Sequence, residues 1–162
     1  MIELTEKQSL AWSYLEGDDD LLSLLYGGAK GGGKSHFLCV WACYQAKKLA
    51  RDFGIKEPSD NPIPVGFLGR KRSVDFRNTT LATWRRVIPS HHYEIKEQKQ
   101  LIIIDGRVAI AFGGLDDQES INKFNSAEFA FAGIDQAEET DQADISVLFG
   151  ALRLKVNGVQ PK

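Results

Sequence analysis

Between Tyr26 and Ser35 the chain reads Tyr26-Gly27-Gly28-Ala29-Lys30-Gly31-Gly32-Gly33-Lys34-Ser35, and this glycine-rich stretch constrains the fold more than any other. Glycine has no Cβ, so successive N–H groups there can turn inward and form a concave nest of donors. The spacing fits G-x-x-x-x-G-K-[ST], with Gly28 as first glycine, Gly33-Lys34 as the pair and Ser35 as the hydroxyl residue. In that pattern the backbone from Gly28 through Ala29, Lys30, Gly31, Gly32 and Gly33 cradles the phosphates of a nucleotide. Lys34 reaches the terminal phosphates, and the Ser35 hydroxyl ligates Mg²⁺.

The flanks match a phosphate loop better than a linker. Residues 21–26 are mostly apolar and read as a buried strand entering the loop. Residues 35–50 read as a helix whose N-terminus points at the phosphates, where its dipole favours negative charge. A flexible glycine linker requires neither a Lys-Ser pair at this offset nor regular structure on both sides.

A chain of 162 residues suits one domain, and 43% hydrophobic residues suffice for a core. The net charge of −2 hides an asymmetry: residues 47–86 hold ten Lys/Arg against four Asp/Glu, whereas residues 116–144 hold nine acids against one Lys. That split is compatible with a polyanion on one side and cation chemistry on the other, and equally with two solvated faces. Cys39 and Cys43 lie four apart on the expected helix without the further Cys or His of a zinc site, so they read as reduced core residues. No signal peptide, membrane-length apolar run or internal repeat is evident.

Residues 3–16 read as a first helix, with Thr5 as N-cap and Gln8 three residues on. Gln8 has two open uses, completing the capping box or presenting its amide to the edge of adenine. Residues 17–20 form a polar turn and residues 54–64 a proline-rich surface loop. A second strand, 63–70, delivers Arg70 to its carboxyl end, where ligands of open α/β sheets collect. Residues 74–87 then have helical spacing. Strand-like runs at 93–104 and 107–112 flank Asp105-Gly106, a hairpin signal. Residues 116–122 read as a loop or short helix, and His91 and His92 as surface residues without metal-ligand spacing.

The second chemical constellation is the apolar run from Phe129 to Ile134 that ends in Asp135-Gln136-Ala137-Glu138-Glu139. A strand ending in Asp about a hundred residues after a phosphate loop suits an Mg²⁺ site opposite Ser35. Glu138 and Glu139 are the nearby carboxylates able to take a proton from an attacking water. A helix start that attracts acids to its dipole would look similar.

Together these residues resemble the ATPase domain of the large subunit of the terminases, which package DNA into tailed-phage heads. The resemblance is carried by Leu4-Thr5-Glu6-Lys7-Gln8, by the glycine loop with its extra basic residue Lys30, and by the block from Ile110-Ala111-Phe112-Gly113-Gly114-Leu115 to Phe131-Ala132-Gly133-Ile134-Asp135-Gln136-Ala137-Glu138-Glu139. It implies a RecA-like α/β P-loop NTPase, a mainly parallel sheet flanked by helices with a β-hairpin near residues 93–112. It further implies that ATP and Mg²⁺ are bound, with Gln8 reading adenine, residues 28–35 holding phosphate, Ser35 and Asp135 holding the metal, and Lys34, Arg70, Glu138 and Glu139 in catalysis.

Lys30 stands where many terminases carry an Arg, which keeps the charge and loses the planar fork. Arg70 and Arg72 are both candidates for a second family arginine. Gln136 stands where the family commonly places its catalytic Glu, and an amide cannot accept a proton. The implied partners are double-stranded DNA, a portal protein, a small terminase subunit and further copies in a ring, without a membrane, in the host-cell cytoplasm. The family continues into a nuclease domain that these 162 residues do not contain, so the sequence reads as a single, partial ATPase domain. The alternatives are another RecA-like ATPase of helicase or recombination type, and a nucleotide-binding assembly module without turnover.

Overall fold

The computed structural model describes residues 3–17, 23–28, 31–116 and 126–155. Helix α1 spans Glu6–Gly17 and α2 spans Lys34–Asp52. Strand β1 (Ile63–Arg70) leads into a helical segment made of α3 (Ser73–Asp75), a π turn (Phe76–Thr80) and α4 (Leu81–Val87). There follow β2 (Tyr93–Lys96), β3 (Leu101–Ile104), β4 (Val108–Gly114), β5 (Phe131–Ile134) and helix α5 (Gln142–Ala151).

Among the described residues the five strands form one sheet in the order β2-β3-β4-β1-β5. Its centre is parallel, β1 pairing with β4 on one side and β5 on the other, and the hairpin strands β2 and β3 extend it antiparallel. β1 and β4 are apolar almost throughout, as strands covered on both faces must be. In β4 large and small residues alternate: Val108, Ile110 and Phe112 face α2 and α4, and Ala111 joins the smaller core under α5 with Phe67, Phe129 and Leu148. Phe76, Trp84 and Phe112 are at most 1% exposed, each worth roughly 1.5–3 kcal/mol by burial. Gly66 lets β5 approach, since a Cβ there would lie 2.2 Å from the Phe131 ring.

Several expectations hold in detail. The capping box at α1 forms, Thr5 N donating to Gln8 Oε1 (2.9 Å) and Gln8 N to Thr5 Oγ1 (3.3 Å). Asp105 and Gly106 both adopt positive φ, 48° and 69°, and the β3–β4 hairpin closes there. Cys39 and Cys43 are free and buried; burial pushes their thiols up to about 12 and about 11, so neither is reactive.

Others are corrected. The run 93–104 is two strands, because the polar Glu97-Gln98-Lys99-Gln100 turns back on itself with Gln100 at φ 51°. The helix expected over 74–87 contains a π turn, closed by the bond from Leu81 N to Phe76 O. Of the strand expected at 21–26, residues 23–26 take no part in the sheet, whose ladder ends on that flank at β5; a strand exists only where a neighbour pairs its backbone. His92 is half-buried in a cluster with Asp105 (3.0 Å) and Lys47 (2.9 Å). The turn residues 18–20, together with Leu21, Leu22, Ala29, Lys30 and residues 117–122, lie outside the described residues.

Candidate nucleotide site

Because β1, β4 and β5 run parallel, their carboxyl ends gather on one edge of the sheet, and the glycine loop meets them there. Gly28, Gly31 and Gly33 have φ of 152°, 86° and 72°, backbone conformations that L side chains rarely adopt. Gly33 precedes α2 in left-handed conformation, and no side chain caps the helix. The first intrahelical bond runs from Phe37 N to Gly33 O (2.9 Å), so the N–H groups of the opening turn are left to a ligand.

Helix α1 braces both ends of this loop. Lys7 Nζ donates to Gly27 O (2.5 Å), and Gln8 Nε2 donates to Gly33 O (3.0 Å). With Gln8 Oε1 accepting from Thr5 N and the side chain buried, that amide is committed to the capping box and to the loop. A Cβ at position 33 would lie 2.7 Å from Gln8 Nε2, so this contact and the positive φ both require glycine.

Ser35 and Asp135, a hundred residues apart, meet directly. Ser35 Oγ donates to both carboxylate oxygens of Asp135, at 2.9 and 3.0 Å. Asp135 is buried at the end of β5, its N–H bonded to Gly69 O (2.8 Å). A hydroxyl and a carboxylate side by side are hard oxygen donors of the kind Mg²⁺ takes, with phosphate and water completing its shell. Among the described residues no cluster of three or more His, Cys, Asp or Glu side chains is placed to hold a metal by itself.

A polar cavity of about 580 Å³ opens over the loop. Besides Gly28, the 31–33 glycines, Lys34 and Ser35, it is lined by His36, Thr83, Arg86, Gln136 and Glu138. Lys34 Nζ donates to Gly28 O (2.8 Å) across the loop. Gln136 takes φ 55°, a left-handed step that turns the chain from β5 into the short 3-10 turn Ala137–Glu139. That turn separates the two adjacent glutamates. Glu138 lines the cavity, while Glu139 is clamped bidentately by Arg70, at 2.8 Å from Nε and 2.6 Å from Nη2. The guanidinium holds the Glu139 carboxyl below the usual carboxylate range, and the same bond raises Arg70. Arg72 is turned outward to Asp75 (2.7 Å).

The charge asymmetry of the sequence is partly internal. Arg70 and Lys71 from the basic half pair with Glu139, Asp141 and Asp144 from the acidic half, and Asp141 and Asp144 also cap α5. Sequence reasoning missed His36, Thr83 and Arg86. His36 sits in the opening turn of α2, where its Nε2 is buried with no partner among the described residues. Thr83 and Arg86 come to the cavity from α4, which no motif spacing ties to the glycine loop. A second, apolar cleft of about 790 Å³ lies beside the polar one, between residues 23–28, the outer edge of β5 and α5.

No family model matches the sequence, and no curated protein matches it. Among solved structures, the fold matches that of the large terminase from the thermophilic bacteriophage D6E, with a TM-score of 0.70 at 12% identity. The match covers 98% of this chain and 38% of that one, so the present chain spans well under half the length of its structural neighbour. The α/β sheet flanked by helices is therefore a fold that this chain shares with part of that terminase.

Proposed function

We propose that this chain binds ATP with Mg²⁺ and hydrolyses it, as the ATPase portion of a terminase large subunit that drives double-stranded DNA into a prohead. The observation that carries the reading is the Ser35–Asp135 contact, which joins the glycine loop to the end of a strand a hundred residues away. Two independent sequence motifs meet in space with oxygen donors adjacent. In this reading the 31–33 backbone and the opening turn of α2 hold phosphate oxygens, and Lys34 exchanges its bond to Gly28 O for the terminal phosphates. Mg²⁺, held by Ser35 and Asp135, supplies charge neutralisation to the phosphates.

Catalysis of this kind rests on positioning and on charge stabilisation. Glu138 faces the cavity and serves as the base that takes a proton from water, while Gln136 orients that water through its amide. Glu139 stays with Arg70. Gln8 acts on the nucleotide through the loop it braces, and adenine contact requires its amide to leave Gly33. DNA contact is to the phosphates, hence salt-sensitive and tolerant of sequence. A portal protein, a small subunit and further copies in a ring complete the assembly, in the cytoplasm of an infected host. Among the described residues no helix is long and apolar enough to cross a membrane.

A second reading is favoured by one observation: an amide, Gln136, occupies the cavity position next to the metal carboxylate. The chain would then bind nucleotide to order an assembly and turn it over little. Measuring Mg²⁺-ATP binding and phosphate release, beside Lys34→Ala and with linear duplex DNA added, separates the readings. DNA-stimulated release that Lys34→Ala abolishes supports the motor. Binding without release supports the assembly module, and hydrolysis untouched by DNA supports another RecA-like ATPase. A folded chain that binds no nucleotide overturns all three.

A further inference from the structure

The π turn between α3 and α4 has a place in the site that no motif announces. Of its last two residues, Thr80 reaches the Asp135 carboxylate and Thr79 reaches the Arg70 guanidinium. Thr80 is 1% exposed, and its hydroxyl donates to Asp135 Oδ2 at 2.6 Å. Thr79 Oγ1 accepts from Arg70 Nη1 (2.9 Å), the same guanidinium that clamps Glu139, and donates to Asp75 O (2.7 Å). π turns interrupt α-helices at a cost in hydrogen-bond geometry and occur frequently at functional sites.

Resting on the reading of Asp135 as a metal ligand, we propose that Thr80 is a positioning residue that sets the orientation of the Asp135 carboxylate toward Mg²⁺. Among the described residues the carboxylate has two hydroxyl donors of unequal standing. Ser35 touches both oxygens and must turn its lone pairs to the cation when one is bound. Thr80 touches Oδ2 alone and comes from a buried, β-branched side chain with a restricted χ1. When Ser35 is engaged with the metal, Thr80 is the donor that keeps Oδ2 fixed and leaves Oδ1 directed at the site. Partners of this kind, one shell out from the ligands, typically change metal affinity by about 10–100-fold when removed.

The test is a Mg²⁺ titration of the binding of a fluorescent, non-hydrolysable ATP analogue to the full chain, comparing Thr80→Val and Thr80→Ser with the wild type. Thr80→Val is expected to need at least about tenfold more Mg²⁺ for half-maximal binding, with metal-free analogue binding within about twofold of wild type. Thr80→Ser, which keeps the donor, is expected within about threefold of wild type. Should Thr80→Val not fold, Thr80→Cys replaces it, because a thiol is a weak donor of similar size. A Thr80→Val or Thr80→Cys titration that overlays the wild type overturns the proposal, as does an equal loss in Thr80→Ser. A wild type that binds the analogue without regard to Mg²⁺ instead overturns the metal reading of Asp135, and this inference falls with it.

Discussion

The two flanks of β1 are built differently. On the β4 side the ladder runs the length of the strand, from Ile63↔Val108 to Arg70↔Gly114, and every β4 residue is buried. On the β5 side only four residues pair, burial alternates, and the outer edge of β5 faces the apolar cleft. One flank is closed by side chains packing against one another. The other keeps polar groups at a strand end, where Asp135 accepts from Ser35 and Thr80 beside the opening N–H groups of α2, which have no intrahelical partner. Stability and binding should therefore be separable by mutation, flank by flank.

The sharpest test of the closed flank is Ile110→Ala. Ile110 is fully buried in the core under α2 and α4, and removing its side chain is expected to cost about 2–5 kcal/mol, read from denaturant unfolding. Nucleotide affinity of the folded fraction should stay within about twofold, and a parallel loss of affinity would show that the two flanks are coupled. Lys34→Ala is the converse. It removes a charged donor from the open side, so nucleotide binding should weaken at least about a hundredfold, which corresponds to about 2.7 kcal/mol. The unfolding free energy should move by no more than about 0.5 kcal/mol.

Within the open flank the two adjacent glutamates allow a finer division. Glu138→Gln is expected to lower phosphate release by at least about tenfold, because it removes the carboxylate that lines the polar cavity over the glycine loop. Glu139→Gln should lower it less, since that carboxylate is occupied by Arg70. Equal losses would mean that the Arg70 clamp opens when nucleotide binds. If neither change reaches tenfold, the base has been misassigned.

The same contrast explains what the sequence made legible. β4, the Asp105-Gly106 hairpin and the glycine loop were readable because their signals are local: a short apolar run, a turn pair, a spaced motif. Asp135 was readable because a strand ending in Asp is a pattern relative to Ser35 at long range. The π turn was not, since residues 74–87 carry ordinary helical spacing and the extra residue leaves no mark in composition. Thr80, Thr83 and Arg86 came to the site only through that segment's path over the carboxyl ends of the strands. The fate of residues 23–26 was also hidden. An apolar run specifies burial, but a strand needs a neighbour, and the described sheet supplies none on that side.

The smallest expected effect lies at the end of the sheet away from the site, where Asp105 binds Lys47 (3.2 Å) and His92 (3.0 Å) beneath the hairpin. Partial burial would push this carboxyl up, but the hydrogen bonds from His92 and Lys47, with the charge of Lys47, outweigh it and hold the group below its ordinary range. A carboxyl depressed on folding binds its proton more readily in the unfolded chain, so its contribution to stability is complete above the unfolded value near pH 3.9 and is lost as pH falls through the lower folded value. Asp105→Asn keeps a side chain that tolerates the positive φ at this position and removes the charge. With partners about a third exposed, the loss above pH 5 should be small, about 0.5–1 kcal/mol. The gap between wild type and Asp105→Asn in unfolding free energy should then narrow below pH 4, with nucleotide binding unchanged. A gap that persists unaltered to pH 2 would mean that Asp105 acts through its turn geometry and not through its charge.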